Sequence, residues 1–206
     1  MKTLLLVDIQ NDFLPTGALP VPEGDMIIPL VNRLQEKFDL IVATQDWHPA
    51  DHESFAVHHG KKPGEIIMLH GIEQILWPVH CLQNEPGAEL AVGLETDRIE
   101  RVIQKGTNPK VDSYSGFFDN DHQRDTGLAA FLQEKGATEL FVVGLALDYC
   151  VKYTALDARQ CGFNTSLIVD GTRGVNMAVN DSVNAVKEMA AAGVYIIQSL
   201  EILSSK

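Results

Sequence analysis

The residues of this sequence best suited to covalent chemistry are a cysteine, an aspartate and a lysine that stand far apart in the chain. Cys150 follows the apolar run Phe141-Val142-Val143 and Gly144, where a strand pattern gives way to a helical one running to Gly162. A free thiol is only a few per cent thiolate at neutral pH. Helix-terminal N–H groups and a nearby cation stabilise the anion, so this position suits a nucleophile. A lone cysteine is more often a small buried hydrophobe, and the local context of Cys150 carries no more than that. Asp8 closes a first apolar run and Lys105 another. A lysine directly after the core-like pair Val102-Ile103 is costly unless a carboxylate pairs with it, and Asp8 is the expected partner.

The elements that must position these groups follow from hydrophobic period and punctuation. Strands are expected at Thr3–Asp8, Asp39–Thr44, Arg98–Lys105, Glu139–Val143, Thr165–Asp170 and Val194–Gln198. Helices are expected from Asp25 through Leu34, over Thr126–Lys135 ending at Gly136, over Tyr149–Cys161 ending at Gly162, and over Asp181–Ala192 closed by Gly193. Near-continuous apolar strands alternating with helices imply an α/β fold. We expect three αβα layers around a doubly wound, six-stranded, mainly parallel sheet, formed by residues 1–206 as a single domain. Ligands of such sheets bind beyond the carboxyl ends of the strands, where Asp8, Asp46, His48, Lys105 and Cys150 all fall. Residues 45–97 carry Pro49, Gly60, Pro63, Gly64, Gly71, Pro78 and Pro86 with weak periodicity, so an irregular loop region bearing part of a site is expected there.

Composition narrows the partners. Lys and Arg number 16 against 28 Asp and Glu, a net charge of −12, and the cations are scattered. Neither nucleic acid nor an anionic membrane is an expected partner. The run Leu4 to Val7 is too short for a signal-peptide core and no later run approaches membrane-spanning length, so a cytoplasmic location is expected. Three cysteines, Cys81, Cys150 and Cys161, without a CxxC pair argue for free thiols.

Five segments in one order carry a resemblance. Asp8-Ile9-Gln10-Asn11-Asp12-Phe13, Gln45-Asp46-Trp47-His48-Pro49, Trp77-Pro78-Val79-His80-Cys81, Lys105-Gly106-Thr107 and Gly144-Leu145-Ala146-Leu147-Asp148-Tyr149-Cys150-Val151 closely resemble the nicotinamidase family of isochorismatase-like cysteine hydrolases. The resemblance spans essentially the whole chain. It implies hydrolysis of nicotinamide to nicotinate and ammonia in NAD salvage, with pyrazinamide as a side substrate. Cys150 would be the nucleophile, Asp8 the proton acceptor and Lys105 the electrostatic partner, with an oxyanion hole at Ala146 and Cys150 after a cis peptide at Leu145-Ala146.

The resemblance also implies one divalent metal on Asp46, His48 and His80. One carboxylate and two imidazoles suit zinc first, with iron or manganese as alternatives. Phe13, Trp77 and Tyr114 resemble the aromatic walls of the family's pocket, with ordinary core packing as the alternative reading, above all for Tyr114. His52 is close enough in sequence to be a further ligand, but reads more readily as a surface histidine. His58 and His59, beside Lys61 and Lys62, read as solvated. Cys81 and Cys161 read as structural. A homo-oligomer is left open.

Two rivals stand. A related cysteine hydrolase acting on another amide or carbamoyl compound would keep Asp8, Lys105 and Cys150 without needing the metal set. A non-catalytic binding module would have no reason to gather acid, thiol and ligands on one sheet edge. Dinucleotide binding is disfavoured because no GxGxxG follows the first strand.

Overall fold

A computed structural model describes residues 1–204. In chain order the elements are β1 (Lys2–Val7), α1 (Ile28–Gln35), β2 (Leu40–Asp46), β3 (Ile66–Leu69), β4 (Ile72–Ile75), β5 (Arg101–Lys105), α2 (Leu128–Glu134), β6 (Glu139–Leu145), α3 (Lys152–Gln160), β7 (Asn164–Arg173), α4 (Asp181–Ala191), β8 (Tyr195–Ile197) and α5 (Ser199–Leu203). Six of the strands form one sheet in the order β5-β2-β1-β6-β7-β8, and all pair in parallel.

The sheet is covered on both faces because its central strands are apolar on both. Leu4 and Leu6 of β1 pack with Ile28, Val31 and Leu34 of α1, while Leu5 and Val7 pack with Leu128 and Leu132 of α2, Ala155 and Ala158 of α3 and Met189 of α4. This is the αβα arrangement expected from alternating strands and helices.

Four local features differ from the sequence expectation. β2 runs on to Asp46, and β5 begins only at Arg101. The supposedly irregular region holds an antiparallel hairpin, β3–β4. Its strands are four residues each, too short for a clear period. One π-helical turn, Leu147–Val151, precedes α3. Finally, α5 follows β8, opened by reciprocal bonds between Gln198 and Glu201. On β5, Val102 is 40% exposed whereas Ile103 and Lys105 are buried. The run is therefore an alternating edge strand, and Lys105 is buried because it shares a face with Ile103.

Gly144 on β6 joins the fold to the site. Its φ is 123°, and a Cβ there would lie 2.0 Å from the carbonyl oxygen of Val7, the residue before Asp8. Gly144→Ala is expected to destabilise the fold by roughly 2–5 kcal/mol through combined backbone strain and overpacking. Denaturant unfolding measures this, and an unchanged midpoint would contradict the close approach.

Candidate active site

Asp8, the residue after β1, has φ 46° and is wholly buried. Thr44 on neighbouring β2 holds it: the Thr44 hydroxyl donates to Asp8 Oδ1 at 2.6 Å, and the Asp8 N–H donates to Thr44 Oγ1 at 3.2 Å. Lys105 ends β5, directly opposite Asp46 in the ladder. Its Nζ lies 2.9 Å from Asp8 Oδ2 and 2.5 Å from Asp46 Oδ1, and donates to the Ser113 carbonyl at 2.7 Å. Cys150 Sγ, in the π turn after β6, lies 3.5 Å from the same Nζ and within 4.8 Å of carboxylate oxygens of Asp8 and Asp46. The peptide Leu145-Ala146 is cis, as the resemblance implied.

One ammonium therefore serves two carboxylates, with unequal results. Burial is the largest influence on Asp46 and works against its ionisation, but Lys105, His48 and His80 together outweigh it and hold the carboxyl well below its usual range. Asp8 is raised, because burial and the Asp46 charge together exceed the pull of Lys105. Lys105 is pushed well up: its burial is overcome by Asp46 and Asp8, so it stays charged.

For Cys150, burial is the largest influence and raises the thiol well above its ordinary value, with Lys105 opposing and Asp8 adding to the rise. Lys105 favours the anion, but burial outweighs it. The lysine is shared with two carboxylates, and a buried sulfur loses more hydration than they leave it to regain. At rest the site holds a thiol.

The second half of the site lies beside Asp46. His48 Nε2 is 3.6 Å and His80 Nε2 3.9 Å from Asp46 Oδ2. The chain clips these distant residues together: the His48 N–H donates to the Cys81 carbonyl, and the Gln83 N–H to the His48 carbonyl, each at 2.9 Å. The Nδ1 atoms of His48 and His80 donate to the carbonyls of Gly106 and Pro78, at 2.9 and 2.8 Å. Both rings thus turn an Nε2 lone pair toward Asp46, and His48 Nε2 is buried without a hydrogen-bond partner. Converging acceptors with no donor among them are what a cation resolves, so these residues fit a divalent metal. Burial is the largest influence on His80 and pulls it down to about 4, leaving it neutral and able to ligate.

Between the halves opens a small pocket. Phe13, Trp77 and Tyr114 line it as expected, together with Asp46, His80, Ala146 and Cys150. Leu19, Asp112, Tyr149 and Val175 also line it, and nothing in sequence singled them out. The walls are braced by the Trp77 indole N–H donating to the Tyr114 hydroxyl at 3.1 Å and by the edge contact of Trp77 with Tyr149 at 5.0 Å.

His52 is not a surface residue: it is completely buried, its ring 4.3 Å from His48, because Phe55 turns inward beneath both rings. His59 is half-buried against the Glu53 carbonyl rather than fully solvated, while His58 is exposed. All three cysteines are free, Cys81 being buried.

An isochorismatase domain matches residues 2–201. The chain belongs to the isochorismatase family. Among its relatives, an Escherichia coli (strain K12) nicotinamidase is 50% identical over 93% of this chain and 92% of its own. A solved nicotinamidase/pyrazinamidase of Acinetobacter baumanii superposes with a TM-score of 0.94 at 43% identity, covering 98% of this chain and 97% of that one. A pyrazinamidase of Pyrococcus horikoshii, solved in complex with zinc, gives a TM-score of 0.78 at 41% identity over 96% of this chain and 98% of that one.

Proposed function

We propose that this protein is a nicotinamidase of a single hydrolase domain, which hydrolyses nicotinamide to nicotinate and ammonia through a thioester on Cys150, in NAD salvage. The observation that carries this is the single cavity with a Cys150–Asp8–Lys105 cluster at one end and the Asp46, His48, His80 set at the other. A flat heteroaryl amide has two matching ends, a carboxamide and a ring nitrogen. Amide hydrolases that lack a ring-nitrogen anchor would not need the second end. Pyrazinamide, with the same carboxamide on a related ring, is a side substrate of this reading.

The thiol and a reference aspartate differ by about 4.6 pKa units, so an unassisted proton transfer costs roughly 6 kcal/mol. Burial raises both groups, so the raised Asp8 offsets part of the rise at Cys150. The Cys150 proton passes to Asp8 as sulfur attacks the carboxamide carbon. The negative oxygen is held by the N–H groups of Ala146 and Cys150, each such donor being worth about 3 kcal/mol. Asp8 then protonates the departing nitrogen, ammonia leaves, and Asp8 deprotonates the water that opens the thioester. A divalent ion, zinc in first place with iron or manganese as alternatives, would bind the pyridine nitrogen and orient the ring. Phe13, Trp77 and Tyr114 would flank that ring.

Asp8 must be ionised to accept the proton. Its carboxyl is raised, so the acid limb of kcat/KM should fall at a higher pH than an ordinary aspartate would give, with activity lost as pH decreases through that value. A limb at the ordinary aspartate position would remove Asp8 from this role. The reading as a whole is tested by ammonia release from nicotinamide with and without a chelator. No release sinks nicotinamidase, and release indifferent to metal stripping sinks the metal's part. Among the described residues no helix is long and apolar enough to cross a membrane, which fits the cytoplasmic location proposed here.

A further inference from the structure

His52 lies outside the ligand set yet is wholly buried beside it. Its Nε2 is buried with no hydrogen-bond partner. Ligand-type atoms of His48, His52 and Asp112 lie within 4.8 Å of one another, so distance alone would make His52 a further ligand. The proton on its ring decides otherwise.

A neutral imidazole carries one proton, and whatever faces Nδ1 fixes what Nε2 can do. In His48 and His80, Nδ1 faces a backbone carbonyl, which can only accept. Their protons are therefore on Nδ1 and their Nε2 lone pairs are bare. His52 is the reverse. The backbone N–H of Ser54, which can only donate, points at its Nδ1 from 3.2 Å, and the Ser54 hydroxyl lies 2.7 Å from the same atom. Nδ1 is the acceptor, so the proton is on Nε2, and a protonated ring nitrogen has no lone pair for a metal.

Asp112 supplies the complementary group. It is 4% exposed and held by the Ser113 N–H at 2.7 Å and the Gln74 amide at 3.2 Å, with acceptor capacity left over. We propose that His52 is a positioning residue rather than a ligand: it donates Nε2–H to a water completing the ion's shell, and Asp112 accepts from that water. This rests on Asp46, His48 and His80 holding the ion.

The test begins with long-range proton–nitrogen NMR of histidine-labelled wild-type protein, metal-free and zinc-loaded. The expected tautomers are Nε2–H for His52 in both states and Nδ1–H for His48 and His80. X-ray absorption of the zinc form should count two imidazoles, in wild type and in His52→Leu alike. Zinc affinity by chelator competition should fall about 10–100-fold in His52→Leu, the usual range for a group acting through another, and recover in His52→Gln, whose amide can still donate. Three imidazoles in wild type, or an Nδ1–H tautomer for His52, overturns the proposal while leaving the metal site standing. Failure of wild type to bind zinc, iron or manganese overturns the metal site itself and the proposal with it.

Discussion

Cys150→Ala is expected to lower ammonia release from nicotinamide by about 10⁴-fold or more while leaving fold and metal content intact. The size follows from covalent catalysis: removing a nucleophile that acts as a unit with its base leaves only binding and oxyanion stabilisation. The fold should tolerate the change because Cys150 is small, burial favours its neutral thiol, and its contact with Lys105 is long at 3.5 Å. Lys105 keeps its closer contacts to Asp8, Asp46 and the Ser113 carbonyl when the 3.5 Å contact with the sulfur is lost. Metal content should hold because Cys150 is not among the three residues that would hold the ion, Asp46, His48 and His80. Ammonia assay, elemental analysis and thermal unfolding of the same sample make the check. Residual activity within tenfold of wild type would remove Cys150 as nucleophile.

Lys105→Met is expected to damage both ends of the site at once. Methionine fills a similar volume but leaves Asp8 and Asp46, both buried, facing each other without a cation. Breaking a buried ion pair from one side costs about 3–5 kcal/mol. For a chain of this length that corresponds to roughly 6–20 °C in Tm.

The pH dependence has a definite sign. Asp46 is held below its usual range in the native protein, so its contribution to stability is complete above the ordinary aspartate value and is lost as pH falls through the depressed one. The variant lacks most of that contribution, so the difference in stability should be widest near neutrality and close in acid. Activity should vanish, because Asp8 without the ammonium that opposes its protonation takes up a proton and cannot accept another. Thermal scans across pH measure this; a variant with unchanged Tm at neutral pH would show that Lys105 does not hold the two halves together.

Local pattern determined much of this protein. Apolar runs marked the strands of the main sheet, most clearly the central ones, which are buried on both faces, whereas the edge strand β5 alternates. The punctuation at Gly136, Gly162 and Gly193 placed three helix ends. The parallel topology then put Asp8, Asp46, Lys105 and Cys150 at one edge, since every strand of such a sheet points the same way. What the sequence could not decide was anything that depends on one group competing for another.

Whether Lys105 serves Asp8 alone or Asp8 and Asp46 together is a matter of ladder register between β2 and β5. Whether Cys150 rests as thiol or thiolate depends on how many anions share that lysine. His52 reads as a surface residue until Phe55 and His48 pack against it. Its bond with Ser54, two residues away, was within sequence reach, but not its burial against His48. Burial, shared partners and the direction of a proton arise from contacts between distant segments, and only the tertiary structure brings those segments together.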